Sequence, residues 1–146
     1  MRLLRRFLRD MGSSYEPLDV VNINNKRFTA TPELPIEVPE QVYTGFYLGQ
    51  NKQRFIPSSL LLQKLAEEAE THKVNVNRET AWLFVVGKDI FDENIFKRTD
   101  GVRLGGYCLV MFGDHCIGYG RYESSRDIRV VKNLYDVGDF LRREHE

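Results

Sequence analysis

The stretch from Tyr107 to Tyr122, YCLVMFGDHCIGYGRY, decides the fold of this 146-residue chain. It contains two runs rich in aromatic, β-branched and other apolar residues, Tyr107–Phe112 and Cys116–Tyr122. Between them, residues 113–115 (GDH) have the composition of a turn. The pattern predicts two strands joined by a tight turn.

Further short elements are predicted upstream of this pair of strands. Val74 and Val76 alternate with polar residues, as in a half-buried strand. The continuous apolar run Trp82–Val86 (WLFVV) predicts a buried strand, and Asp89–Lys97 predicts one short helix. The strands of this half are therefore short and closely spaced along the chain.

The residues downstream predict a last strand and a closing helix. Ile128–Lys132 (IRVVK) has strand composition, with Ile128 and Val130 pointing inward and Arg129 pointing out. Leu134–Glu144 is predicted to be helical, with Asp136 as a cap and with Val137, Phe140 and Leu141 on one face.

The N-terminal half reads as hairpin, strand and helix. Asp19–Thr29 predicts a hairpin with its turn at Asn24-Asn25, and Val42–Leu48 predicts a strand. Pro57–Glu70 predicts a helix whose apolar stripe is Leu61, Leu62, Leu65 and Ala69. Together these elements predict an α/β (α+β) chain, in which a small N-terminal α/β part precedes a mixed β-barrel plugged by helices.

The first ten residues, Met1–Asp10 (MRLLRRFLRD), form an amphipathic pattern. At 100° per residue the leucines and Phe7 fall on one face and the four arginines on the other. The four arginines interrupt the continuous apolar run that a secretory signal peptide requires. A docking helix with a solvated basic face, an RNA-contacting helix and a targeting segment all fit this pattern.

Composition excludes several classes of protein. Lys and Arg number 21 and so do Asp and Glu, so bulk positive charge cannot hold this chain to a nucleic acid, and any polyanion must meet a local patch. No apolar run approaches the roughly 18 residues of a membrane span. The two cysteines, Cys108 and Cys116, fit neither a disulfide framework nor a zinc site, and are compatible with a reducing compartment.

Motifs of catalysis are missing from the sequence. Gly118-Tyr119-Gly120 lies inside a strand pattern, where glycines mark a bulge or a close backbone approach rather than a dinucleotide site. The three histidines are scattered, and His115 reads as a solvated turn residue. The acidic residues Asp89, Asp92 and Glu93 read as structural. We therefore expect no catalytic residue, no metal and no cofactor.

Basic residues gather on or beside the predicted strands of the C-terminal half. They are Arg121, Arg126, Arg129 and Lys132, then Arg142 and Arg143, and a second group of Lys97, Arg98 and Arg103. Acidic residues are interspersed among both groups. On charge alone, both a solvated face and an RNA-binding face fit these residues. As an RNA-binding face, the strand cations and the cations ending the last helix would lie along one groove.

Three segments marked by glycine follow one another through this half, Val86–Ile90, Gly105–Val110 and Gly113–Gly120, and the polar loop Ser124–Ile128 comes after them. This order resembles that of a PUA domain, the RNA-binding module named for pseudouridine synthases and archaeosine transglycosylases. The ending Asp136–Glu144 (DVGDFLRRE) resembles the closing segment of a PUA-containing family of large-ribosomal-subunit biogenesis factors. The segment that precedes the PUA domain in that family is also similar to residues upstream in this chain, namely Gly45 and Gly49, the helix Pro57–Glu70, and His72–Val74.

The resemblance implies a domain division into residues 1–75 and a PUA domain at 76–146. It implies a non-catalytic protein that binds rRNA or pre-rRNA, single-stranded or irregular, together with other ribosome-assembly proteins. Arg126 and Arg129 lie on the segment that the resemblance places at the RNA-facing side. We expect a monomer without membrane contact, located in the cytoplasm or, in a eukaryote, the nucleolus. An accessory subunit that delivers RNA to a modifying enzyme and a protein–protein adaptor in pre-ribosomes are the alternatives.

Overall fold

The computed structural model describes residues 2–16, 20–23, 26–29 and 47–138. Within them lie a four-stranded sheet, a six-stranded sheet and three α-helices. The Asn24-Asn25 turn, residues 42–46 of one predicted strand and residues 139–144 of the predicted last helix lie outside the described residues. So do two of the predicted RNA-binding residues, Arg142 and Arg143.

The smaller sheet is antiparallel and follows chain order. Its strands are β1 (Val20–Ile23), β2 (Lys26–Thr29), β3 (Tyr47–Asn51) and β4 (Phe55–Pro57). The predicted hairpin is confirmed, because Val20 pairs with Thr29 and Ile23 with Lys26. Pro57 belongs to β4 and pairs with Gly49, so it does not begin the following helix.

The larger sheet carries the strands predicted from the opening stretch of sequence. Its strands are β5 (Lys73–Val76), β6 (Ile90–Phe91), β7 (Ile95–Arg98), β8 (Tyr107–Phe112), β9 (His115–Ser125) and β10 (Ile128–Asp136), in the spatial order β6-β10-β9-β8-β5-β7. Strand β5 runs parallel to β8 and the other pairs are antiparallel. The predicted domain division after residue 75 falls inside β5.

The six-stranded sheet curls into a half-barrel because its two edge strands are close neighbours in the chain. Only a single 3₁₀ turn, Asp92–Asn94, separates β6 from β7, although they lie at opposite edges. The connection draws the edges together. The predicted fold class, a mixed α+β fold with a PUA-like sheet, is thereby confirmed.

Helix α1 (Arg2–Asp10) confirms the amphipathic pattern of the first ten residues, because Leu4, Phe7 and Leu8 are buried. Helix α2 (Ser59–Ala66) is shorter than predicted. The Ser58 hydroxyl caps it by accepting a hydrogen bond from the Leu61 N–H at 3.0 Å. The leucine stripe is buried as predicted, whereas Ala69 lies beyond the helix and is exposed.

The predicted strand Trp82–Val86 is wrong, because this run lies largely in helix α3 (Arg78–Val85). The Asn77 side chain caps the helix by accepting a hydrogen bond from the Thr80 N–H at 2.9 Å. Phe84 is fully buried, whereas Trp82 is 68 % exposed. A short continuous apolar run fits a buried helix as well as a strand, and here the cap upstream determined which one formed.

Two further predictions are corrected in the same half. Asp89–Lys97 is no helix, since strands β6 and β7 flank a 3₁₀ turn there. The last helix does not begin at Leu134, because β10 continues through Asp136 and helical backbone starts at Val137. In both places pairing with a neighbouring strand overrides the local helical pattern.

The six-stranded sheet separates two hydrophobic cores. One face carries Leu109, Met111 and Tyr119, which pack with the apolar sides of α1, α2 and the smaller sheet. The other face carries Val110 and Val131, which pack with α3 and β6. We call these the outer face and the inner face. The N-terminal residues are thus joined to the larger sheet by one continuous core.

Two glycines of β9 permit close approach by the neighbouring elements. A Cβ at Gly118 would overlap the Tyr135 carbonyl oxygen and lie 2.7 Å from the Phe84 ring. A Cβ at Gly120 would overlap the backbone of Lys132. The structural interpretation of this Gly-Tyr-Gly segment is therefore confirmed.

Candidate nucleic-acid interface

The tip of the β9–β10 hairpin presents Arg126 to solvent in an unusual backbone conformation. Arg126 has φ 53° and Asp127 has φ 65°, both in the left-handed region. A two-residue turn of this kind suits the right-handed twist of its strands, and glycine or asparagine is the usual occupant. Arg126 therefore lies at the outermost point of the hairpin, in a backbone conformation that is unfavourable for arginine.

The remaining cations of this hairpin lie on opposite faces of the sheet. Arg129 pairs with Ser124, and Lys132 pairs with Arg121. Because Arg129 and Lys132 are three residues apart in a regular strand, their side chains leave β10 on different sides. The expectation that one groove collects these cations is wrong. The predicted inward position of Ile128 is also wrong, since this side chain is 52 % exposed and Val131 is the buried one.

Arg129 lines a cleft that is mostly acidic. The cleft holds about 540 Å³ and is lined by Phe91, Asp92, Glu93, Asp127, Ile128 and Arg129. Asp92 is paired with Arg98, but Glu93 and Asp127 still outnumber the Arg129 guanidinium, which disfavours a phosphate group there. The inner-face end of the hairpin is therefore the weaker part of the predicted RNA surface.

The outer face presents a row of three side chains in register across three strands. Tyr107 of β8 pairs with Arg121 of β9, which in turn pairs with Lys132 of β10. The Arg121 Nη2 donates a hydrogen bond to the Tyr107 hydroxyl at 3.0 Å, and its guanidinium lies 5.0 Å from the centre of that ring. Glu123 is nearby, with Oε1 3.8 Å from Arg121 Nη1. This row, Tyr107–Arg121–Lys132, places two cations side by side on one accessible surface.

Arg98 has a structural role that the sequence did not reveal. Its Nη1 donates hydrogen bonds to Asp92 Oδ1 and to the Tyr122 hydroxyl, each at 2.9 Å. The Tyr122 hydroxyl in turn donates to Asp92 Oδ1 at 2.6 Å. The hydrogen bond to Tyr122, with the charge of Asp92, raises the pKa of Arg98. These bonds hold the 3₁₀ turn between β6 and β7 against the middle of the sheet.

The other predicted cations of this group are exposed. Lys97 lies on β7 opposite Asn75, and Arg103 lies in the loop that leads to β8. The structure does not bring these two to the Tyr107–Arg121–Lys132 row.

One basic residue of the outer face was missed from sequence. Arg54 lies in the turn between β3 and β4, and it lines a cleft together with Arg6 of α1 and Arg121. The only local signal is a basic turn, Asn51 to Arg54, which by itself has the composition of an ordinary solvated loop.

Both cysteines are free thiols buried in the larger sheet. Burial raises the pKa of the Cys108 and Cys116 thiols to about 12, so both remain protonated and unreactive near neutral pH. Within the described ranges there is no group of three or more His, Cys, Asp or Glu residues that could hold a metal ion. Nor is any helix there long and apolar enough to cross a membrane.

Comparison with known proteins agrees with this architecture. A family model described as the UPF0113 PUA domain matches residues 72–145. A solved structure of a conserved PUA-domain protein from Thermoplasma acidophilum matches with a TM-score of 0.55 and 17% sequence identity. The match covers 97% of this chain and 91% of the Thermoplasma chain. No curated protein matches the sequence. Since the larger sheet and the family match begin together at residues 72–73, the chain belongs to the UPF0113 PUA-domain family.

Proposed function

We propose that this protein binds RNA without catalysing a reaction, and that the RNA lies along the Tyr107–Arg121–Lys132 row, an accessible part of the outer face of the larger sheet. The observation that carries the proposal is the register that sets Arg121 directly opposite Lys132. Like charges at directly opposite strand positions destabilise a sheet. Glu123, with Oε1 3.8 Å from Arg121 Nη1, offsets part of this repulsion, and a phosphate between Arg121 and Lys132 would offset the remainder.

The residues around this pair favour single-stranded or irregular RNA. Arg121 is hydrogen-bonded to the Tyr107 hydroxyl and lies 5.0 Å from the centre of that ring, so its guanidinium is already held in place before any ligand binds. An ordered, planar guanidinium can make paired hydrogen bonds to phosphate or stack on an unpaired base. Arg126 extends the surface to the hairpin tip, and the PUA domain is generally an RNA-binding module.

The proposed cellular role is ribosome assembly. Its support is the resemblance of the closing segment Asp136–Glu144 to large-ribosomal-subunit biogenesis factors. In this role the RNA is rRNA or pre-rRNA, the protein acts as a monomer beside other assembly proteins, and its location is the cytoplasm or a eukaryotic nucleolus. The raised pKa of both buried thiols supports a role without nucleophilic chemistry.

A separate observation favours a protein–protein adaptor as the second candidate. An apolar groove of about 650 Å³ lies between α3 and the β8–β9 hairpin, and Trp82, Val85, Phe112 and Ile117 line it. Trp82 and Phe112 are both exposed. Exposed aromatic side chains beside an apolar groove are typical of surfaces that receive another protein.

The test compares Lys132→Ala with Arg129→Ala in binding to a fluorescent single-stranded RNA over a series of salt concentrations. The two residues lie on the same strand and lose the same charge, but they project from opposite faces. Lys132→Ala should make the negative slope of log K against log salt less steep by about 0.7, the value for one phosphate contact on a single strand. Arg129→Ala should leave the slope close to that of the wild type.

Three outcomes separate the hypotheses. If Arg129→Ala alone weakens binding, the RNA occupies the inner face and the proposed surface is wrong. If neither change alters affinity or slope, the cations of β10 are merely solvated. Wild-type protein without salt-dependent RNA binding would favour the adaptor. Arg129→Ala should leave the melting temperature nearly unchanged, because exposed single charges contribute little to stability. Lys132→Ala should raise it slightly, because it removes the like charge opposite Arg121.

A further inference from the structure

A small cleft at the junction of the N-terminal residues and the larger sheet collects three arginines from distant parts of the chain. Helix α1 contributes Arg6, the β3–β4 turn contributes Arg54, and strand β9 contributes Arg121. Asp10 supplies the single carboxylate among the lining residues. The lining therefore carries a formal net charge of +2, in a protein whose overall charge is zero.

The walls of this cleft are fixed by aromatic packing. The Phe7 ring lies 5.5 Å from the ring of Tyr119, edge to face, and 5.5 Å from that of Phe55. Tyr107 and Tyr119 pack edge to face at 6.1 Å. These rings belong to four different elements, so the backbone positions that carry the arginines are held together by one core.

Neighbouring groups compensate the arginines only in part. Asp10 Oδ2 lies 3.8 Å from Arg6 Nε, and both side chains remain well exposed. Arg121 uses one N–H on the Tyr107 hydroxyl, which leaves further donors of its guanidinium for a ligand. Burial raises the pKa of Tyr119 to about 12 despite the opposing charges of Arg54 and Arg121, so its hydroxyl stays neutral and cannot balance them.

The size of the cleft limits what can enter it. Its volume of about 210 Å³ is below the roughly 300–1,000 Å³ of pockets that hold whole small-molecule ligands. A compact anion with several acceptor oxygens fits both the volume and the donors. Arginine binds phosphate in a two-pronged geometry that a lysine cannot reproduce.

We propose that the Arg6–Arg54–Arg121 cleft binds one phosphate group of the RNA strand. This inference rests on the proposed function, since Arg121 belongs both to the cleft and to the Tyr107–Arg121–Lys132 row. A strand crossing that row would pass from Lys132 over Arg121 and place its next phosphates toward Arg54 and Arg6. Helix α1 and the β3–β4 turn would then recognise RNA together with the PUA sheet.

The first test is Arg54→Gln, with Lys52→Gln as the matched control. Both residues are exposed in the same turn, but only Arg54 lines the cleft. Arg54→Gln should weaken binding of a single-stranded RNA about fivefold at 0.1 M salt and make the negative slope of log K against log salt less steep by about 0.7, as one lost phosphate contact requires. Lys52→Gln should bind like the wild type. Equal binding by Arg54→Gln and the wild type overturns the inference, even where Lys132→Ala confirms the proposed function.

The second test titrates inorganic phosphate into the wild-type protein and follows the arginine Nε–Hε resonances by NMR. Saturable shifts at Arg54 and Arg121, absent at Arg5 on the exposed side of α1, support the cleft. Absence of such shifts overturns it as a phosphate site. If the wild type binds no RNA and yet shows these shifts, the proposed function fails, the RNA is excluded as the source, and free phosphate is the ligand.

Discussion

Replacing Arg126 by glycine should make the protein more stable and a poorer RNA binder at the same time. The left-handed conformation at φ 53° costs an L-residue about 1–2 kcal/mol. Glycine removes this cost, but it also increases the conformational freedom of the unfolded chain, which lowers the free energy of unfolding by about 0.4–1 kcal/mol. The expected net gain is about 0.5–1 kcal/mol, which corresponds to a rise in melting temperature of about 1–4 °C for a chain of this size.

The loss of RNA affinity follows from the charge that Arg126 carries at the hairpin tip. Removing one phosphate contact should weaken single-stranded RNA binding about fivefold at 0.1 M salt. Thermal unfolding followed by circular dichroism gives the first quantity, and fluorescence anisotropy with a labelled oligonucleotide gives the second. The two effects have opposite signs, so a general disturbance of the fold cannot imitate them.

Asp127→Gly is the matched control for this prediction. It relaxes the neighbouring left-handed residue, at φ 65°, but keeps the arginine and removes a negative charge. The melting temperature should rise slightly, because aspartate tolerates this conformation better than arginine does. RNA binding should be unchanged or tighter. A melting temperature of Arg126→Gly at or below that of the wild type would refute the strain argument, and unchanged RNA affinity would remove Arg126 from the interface.

Three other predictions concern the core. Leu61→Asp buries an unpaired charge in α2 and should lower the free energy of unfolding by several kcal/mol, measured with denaturant. Leu60→Asp, at a neighbouring position that is 54 % exposed, should lower it little, and equal unfolding midpoints for the two variants would place α2 outside the core. Gly101→Ala should lower the free energy of unfolding by about 1–3 kcal/mol, because the added Cβ would overlap the His72 ring. This loss of stability should largely disappear in a His72→Ala background, and a loss that persists there would locate the strain elsewhere. Burial raises the pKa of Cys108 to about 12 from its ordinary 9.0, so its stabilising contribution is complete below pH 9 and is lost as the pH rises toward 12. This thiol should lower the unfolding free energy by up to about 1.4 kcal/mol per pH unit there, in addition to the fall caused by Cys116, whose pKa burial also raises to about 12; a fall in Cys108→Ala as steep as that of the wild type would refute this cause.

Local pattern alone was sufficient for the central strands of the larger sheet, whereas its edge strands β6 and β7 lie in a segment that the pattern predicted to be a helix. The runs Tyr107–Phe112 and Cys116–Tyr122 are strands as predicted, because β-forming residues flank a short turn with glycine. The first helix was also predictable, since its leucines and arginines separate at helical spacing and need no distant partner to define the two faces. In such segments the residues that determine the structure are neighbours in the chain.

Tertiary structure decided the remainder, because the groups involved are far apart in sequence. The apolar run Trp82–Val86 fits a strand or a helix, and only the cap at Asn77 and the packing of Phe84 under the sheet make it helical. The opposite faces of Arg129 and Lys132 follow from the strand register.

The cleft of Arg6, Arg54 and Arg121 is the clearest case of dependence on tertiary structure. Its residues are separated by 48 and 67 positions along the chain, so no local pattern connects them. Each of the three reads in its own segment as an ordinary solvated cation. They converge because the apolar face of α1 packs on the outer face of the sheet through Phe7. The sequence alone determined the central strands of the larger sheet and which residues carry charge, whereas the burial of that helix determined which charges share one site.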